Sequence, residues 1–176
     1  MARSFRGNRE GQELVQSAQA GMVQTVLGPI RPGKLGVTLA HEHLLVDLRF
    51  MHQVPAEAHA RGVYYGPVSL ETIGYMTHYS MANLDSLTLL DVDVAIDEVK
   101  LFKQHVGHSV VDATSIGIGR DPVSLARIAR ATGLNIVMGA GYYVDDAHPD
   151  GMDEKTEAEL GAEITADLTT GVGGTG

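Results

Sequence analysis

Gly36-Val37-Thr38-Leu39-Ala40-His41-Glu42-His43 is the stretch on which the fold turns. Gly36 to Leu39 is an apolar alternating run and reads as a buried strand. Residues two apart on a strand project to one face, so His41 and His43 point together and Glu42 points away. Two neutral imidazoles side by side at a strand end suit a divalent metal, because each offers a borderline-soft nitrogen. Solvated strand-end histidines would be spelled the same way, so the rest of the chain decides what the pair means.

Upstream, Met22 to Leu27 alternates in part and Gly28-Pro29 is a turn signal, followed by a second turn at Arg31-Pro32-Gly33-Lys34. Residues 22–39 are therefore expected to form a hairpin leading into the histidine strand. Residues 1–20 are polar and carry no packing pattern, which reads as a flexible leader. Downstream, residues 44–90 hold an aromatic and Met-rich mixture without a clean period. Two readings stand there: a lid or binding loop, or short helices packed over the core edge.

Order returns at Asp91. Val92, Ile96, Val99, Phe102 and Val106 step by three or four residues, a helical stripe, and Gly107 supplies a stop. Ser109 to Thr114 reads as a buried strand. Asp121-Pro122 starts a helix, with Asp as cap and Pro at the first helical position, and Gly133 ends it. Asn135 to Ala140 is a further buried strand, and Glu154 to Leu168 a last helix carrying Leu160, Ile164 and Leu168 on one face. Apolar strands alternating with helices imply an α/β protein with a parallel sheet covered on its faces. Both the doubly wound sheet and the (β/α)8 barrel fit this order. In either, chemistry gathers at the carboxyl ends of the strands, where His41, His43, Asp112, Tyr142 and Tyr143 fall. Asp112 there is either a carboxylate orienting a ligand histidine or a turn residue. Tyr142 and Tyr143 either line a substrate pocket or pack on each other.

Composition narrows the function classes. The chain has 176 residues, 44% of them apolar, a formal charge of −9, and no Lys/Arg cluster, so nucleic acid is not an expected partner. It has no cysteine, which excludes disulfides and thiolate chemistry. No apolar run is long enough to span a membrane and no signal-peptide pattern opens the chain, so a cytoplasmic location is expected. Gly28 to Lys34 has P-loop spacing, but Leu35 stands where a Ser or Thr would bind magnesium. Gly117-Ile118-Gly119 and Gly139-Ala140-Gly141 are only halves of a dinucleotide fingerprint. The remaining histidines, at 52, 59, 78, 105, 108 and 148, lack a paired spacing and read as surface or loop residues.

Three blocks then resemble the phosphotriesterase-like branch of the amidohydrolase superfamily. They are Met22 to Ile30 continuing through Leu35 to Leu45, Val111 to Asp121, and Gly133 to Tyr143. The resemblance runs from about Gly21 to the C-terminus. It implies a (β/α)8 barrel with two Zn(2+)-type metals at its carboxyl face. His41 and His43 match the first-strand pair on the more buried metal, and Tyr143 matches a pocket position. It further implies hydrolysis of a lactone or related ester, with organophosphate triesters as a side activity, by a metal-bridging hydroxide.

The family's bridging carboxylate and later ligands come from strand 4 onward, whereas the sequence to Gly176 reaches only the third β/α unit. A whole barrel takes about 250 residues. Residues 21–176 are therefore expected to form a partial domain truncated before strand 4, incomplete as a catalyst. The catalytic residues themselves are expected beyond Gly176. A non-catalytic barrel fragment with a binding or assembly role is the alternative, and a homodimer is a further expectation.

Overall fold

The structure, a computed structural model, describes residues 20–173 and 175. The expected leader lies outside the described residues except for Ala20. Gly176, the residue beyond which the catalytic groups are expected, also lies outside them.

Strands β1 (Val23–Thr25) and β2 (Gly28–Ile30) form an antiparallel hairpin. Its turn falls at Val26-Leu27 rather than at Gly28-Pro29, so both turn-signal residues sit inside β2. Thr25 sets this: its hydroxyl donates to the Gly28 carbonyl at 2.6 Å and accepts from Leu27 N–H at 3.2 Å. Pro29 is tolerated because β2 is an edge strand.

Three parallel strands carry the fold: β3 (Thr38–Glu42), β6 (Ser109–Asp112) and β7 (Asn135–Met138), adjacent in that order. Between β3 and β6 lie β4 (Val46–Asp47) and β5 (Thr88–Leu89), which pair antiparallel and bracket the insertion. The insertion contains the short helices α1 (Arg61–Tyr65) and α2 (Ile73–His78). It has its own buried anchor, Asn83, whose amide donates to the carbonyls of Val63 and Gly66 while its oxygen accepts from Ser86 N–H. Of the two readings for this region, short helices are what the chain forms.

Helices α3 (Val92–Gln104), α4 (Pro122–Thr132) and α5 (Glu157–Thr170) follow the order read from the sequence. Asp91 caps α3 by accepting from Asp93 and Val94 N–H, and Asp121 caps α4 by accepting from Ser124 N–H at 2.9 Å. Gly133 closes α4 at φ 67°, a conformation that costs glycine little. The end of α3 departs from expectation. The left-handed residue is Val106, at φ 65°, and it is exposed rather than part of the buried stripe. Gly107 is needed for space instead, since a Cβ there would lie 2.4 Å from the Phe102 ring.

Val110 and Ile136, both fully buried, face Ile96 and Val99 of α3 and Leu125, Ile128 and Ala129 of α4 in one core. Burial of each such side chain contributes about 1.5–3 kcal/mol. Helices α3 and α4 lie on the same side of the sheet and touch each other, with Arg127 bonded to Asp93 at 2.5 Å and Lys103 to the Gly133 carbonyl at 3.1 Å. A doubly wound sheet would place them on opposite faces. On the other face Val111 and Val137 remain half-buried, so the expectation of two covered faces holds for one face only. Helix α5 buries no residue fully, and Leu168 is exposed. Its start is secured by a capping box between Thr156 and Glu159.

Candidate metal site at the carboxyl end of the sheet

The site is built where β3, β6 and β7 end. Strand β3 carries an irregularity between Leu39 and Glu42. Leu39 stands opposite Val110, but Glu42, not His41, stands opposite Asp112. One extra residue is thus inserted within Ala40-His41, a device that bends a strand and re-aims side chains. The next rung is held by Ala113 N–H donating to the Glu42 carbonyl at 2.8 Å.

His41 and His43 emerge side by side, their ring centroids 5.5 Å apart and their planes at 72°. A zinc–nitrogen bond of about 2.0–2.1 Å puts each imidazole centroid about 3.2 Å from the metal. At a tetrahedral angle two such rings sit about 5 Å apart, close to the observed separation. In ring separation the pair meets what a shared divalent cation requires of two imidazole ligands. Among the described residues no group of three or more His, Asp or Glu side chains gathers into a complete metal site. The further ligands and the bridging carboxylate, expected beyond Gly176, fall outside the described residues.

Asp112, fully buried, makes no hydrogen bond to either ring among the described residues. One of its carboxylate oxygens accepts from Leu44 N–H at 2.8 Å and the other from Thr114 N–H at 2.9 Å. Of its two readings, orienting a histidine directly or shaping a turn, the contacts are those of the turn residue. They clasp the backbone that follows His43 to the backbone that follows β6. The group that does touch a ring is Thr114, whose hydroxyl oxygen lies 2.9 Å from His43 Nδ1. The sequence reading places Thr114 only at the end of a strand and gives it no role at the site. Its one local signal is the Asp-x-Thr spacing, in which an Asp oxygen accepts from the N–H two residues on.

The tyrosines diverge. Tyr143 is 47% exposed and meets Phe50 edge-on at 6.4 Å between centroids. The Tyr142 hydroxyl is turned to α5, where it donates to Glu163. Lys155 donates to both oxygens of the same carboxylate, at 2.7 and 2.9 Å. Lys155 and then Tyr142 hold the Glu163 carboxyl below its ordinary value, and the hydrogen bond to Glu163, followed by burial, raises the Tyr142 phenol. Arg120 adds a second tie. It bonds Asp167 of α5 at 2.6 Å and the Gly139 carbonyl at 3.2 Å, with little of either side chain exposed. No sequence pattern pointed to Arg120 or Glu163, because each works through a partner tens of residues away. Of the other histidines, those at 52, 59, 78, 105 and 108 are exposed, in keeping with the surface reading.

Comparison with known proteins identifies the family to which the fold belongs. Residues 21–176 match the model of the phosphotriesterase family. An N-acetyltaurine hydrolase of Xenopus tropicalis is 34% identical over 160 residues, which are 90% of this chain and 46% of that protein. The crystal structure of a resiniferatoxin-binding protein from Rhodobacter sphaeroides superposes with a TM-score of 0.85 at 39% identity, over 89% of this chain and 44% of that one. A lactonase from Listeria monocytogenes shares the fold at a TM-score of 0.57 and 20% identity, over 88% of this chain and 44% of that one. The chain thus spans less than half the length of each of these proteins. Three parallel strands wound in sequence order and a family match across all but the first residues make one conclusion: this chain belongs to the phosphotriesterase family.

Proposed function

We propose that the protein is a metal-dependent hydrolase of carboxylic esters, lactones first among them, and that residues 21–176 supply the first three β/α units of its (β/α)8 barrel. The observation that carries the reading is the pair of imidazoles 5.5 Å apart at the carboxyl end of a parallel sheet. Two features support the barrel. The strands follow one another in sequence order with helices on one side, and β3 has no partner on its outer edge among the described residues. Between β3 and α3 a cleft of about 660 Å³ is lined by Leu39, Val94 and Phe102 together with Glu42, Asp91 and Glu98, so apolar surface of the kind further β/α units cover lies beside carboxylates.

His41 and His43 would hold the more buried of two zinc-type cations. On this reading the bridging carboxylate and the later ligands come from chain beyond Gly176. A bound cation of this kind polarises the oxygen of the bond under attack and lowers the pKa of its water to about 7. The part played by residues 21–176 is positional. Asp112 fixes the backbone on both sides of the site. Tyr143 offers an exposed ring against which an acyl or lactone ring packs, and Tyr142, anchored on Glu163, steadies the loop that carries it. Organophosphate triesters, which present a comparable polarised oxygen, are a side activity on this reading.

A second substrate class has its own support. The relative from Xenopus tropicalis, 34% identical over 90% of this chain, is named for hydrolysis of an N-acyl amide. The test is hydrolysis by the full-length protein of a panel of lactones, aryl esters and N-acyl amides, with and without His41→Ala/His43→Ala. Lactone turnover abolished by the double substitution is expected. Turnover of the amides alone would select the second class. A full-length protein inactive on the whole panel would favour a binding or assembly role.

A further inference from the structure

We infer that Thr114 is the positioning residue of the candidate metal site: it fixes His43 in the tautomer that carries its proton on Nδ1, which leaves Nε2 as the nitrogen free to bind a cation. The inference rests on the proposed ligand role of His43 for its purpose, but the geometry stands without it.

The hydroxyl of Thr114 makes two bonds. It lies 2.9 Å from the Leu45 carbonyl oxygen and 2.9 Å from His43 Nδ1. A hydroxyl has one proton. The Leu45 carbonyl can only accept, and among the described hydrogen bonds Thr114 is the donor that reaches it. Leu45 and Thr114 are both buried, so turning the proton away would strand a carbonyl out of reach of water, at a cost of about 1–3 kcal/mol. The proton therefore belongs to Leu45, and Thr114 must accept from His43. That requires N–H at Nδ1, which in the neutral ring leaves the lone pair on Nε2.

The hydroxyl is itself held. Asp112 bonds Thr114 N–H and Leu44 N–H, so the acceptor and the chain beside the imidazole are clasped by one buried carboxylate. Outer partners of this kind set the tautomer and orientation of ligating histidines. His43 differs from His52, His78 and His105 in the group its Nδ1 meets, a buried hydroxyl from a distant strand end, not in the nitrogen that carries the proton. The bonds that His52, His78 and His105 make through Nδ1 go to carbonyls three or four residues earlier in their own turns, and His41 has no hydrogen-bond partner among the described residues.

The test is a proton–nitrogen correlation spectrum of the histidine side chains of the 176-residue chain at about pH 8, above the ordinary histidine pKa of about 6.5. His43 is assigned by its loss in His43→Gln. Its Nδ1 is expected to resonate as a protonated nitrogen and Nε2 as an unprotonated one. The reverse pattern, or the averaged signal of a free imidazole, would overturn the inference in the unaltered protein, whether or not any variant folds. Thr114→Val should move His43 towards the averaged signal and weaken zinc binding about 10–100-fold, and Thr114→Ser should restore both. A Thr114→Val protein with an unchanged His43 pattern would also overturn it. Zinc that binds elsewhere while His43 keeps its Nδ1 proton would count against the hydrolase reading and leave the role of Thr114 intact.

Discussion

Asp112→Asn changes one oxygen to NH₂ and little in volume, which isolates hydrogen bonding from packing. In the native protein both carboxylate oxygens accept, from Leu44 N–H at 2.8 Å and from Thr114 N–H at 2.9 Å, at a fully buried position. Asparagine retains one acceptor, and its NH₂ then faces a backbone N–H. One bond to a carboxylate, about 1.5–3 kcal/mol, is lost, and a buried donor is left unsatisfied at about 1–3 kcal/mol. These are two descriptions of overlapping losses, so the expected destabilisation is about 2–4 kcal/mol rather than their sum. Urea denaturation followed by circular dichroism measures it, with a lower midpoint and an unchanged slope. The melting temperature should fall by about 4–16 °C. A loss below about 0.5 kcal/mol, the scale of an ordinary surface substitution, would show that Asp112 does not clasp the two strand ends.

Other outcomes follow from the same geometry. Gly117 has φ +91°, and a Cβ there would lie 1.7 Å from the Ala147 carbonyl, whereas Gly133, at φ +67°, has nothing within 4 Å. Gly133→Ala should cost about 1–2 kcal/mol for its backbone alone, and Gly117→Ala clearly more; equal losses in parallel denaturation curves would refute the close approach. The Asp121 carboxyl is held below its ordinary 3.8, chiefly by the Ser124 side chain and then by its N–H, and Glu163 below 4.5 by Lys155 and Tyr142. Each therefore stabilises the fold above its unfolded value and loses that contribution as pH falls through its lowered folded value. Stability measured from neutral pH downward should decline below these values, and Asp121→Ser, which keeps a cap without a charge, should shallow that decline; an unchanged acid limb would count against the cap.

Features encoded by neighbours in the chain were legible in the sequence. Asp121-Pro122 and Gly133 mark the ends of α4 because caps are made within one turn, and the stripe from Val92 to Phe102 marks α3 because burial repeats with the helix. The nearness of His41 and His43 was legible because only one residue separates them, although β3 ends at Glu42 and its register slips beside them. What depends on distant partners was not. The extra residue before Glu42 is set by the register against β6, about seventy residues on. Thr114 looks like any strand-end threonine until Leu45 and His43 are placed around its hydroxyl. The turn at Val26-Leu27 was missed because the Thr25 hydroxyl outweighs the Gly-Pro signal, and the end of α3 because Gly107 is required by the Phe102 ring rather than by its φ.

Zinc titration of the metal-free 176-residue chain, read by calorimetry and by the histidine side-chain spectrum together, bears most directly on the site. Zinc should bind with His41 and His43 shifting in concert and the five other exposed histidines, at 52, 59, 78, 105 and 108, unmoved, and His41→Ala/His43→Ala should abolish the heat. Binding that survives the double substitution, or shifts confined to the other histidines, would contradict the assignment of these two imidazoles as a metal-holding pair.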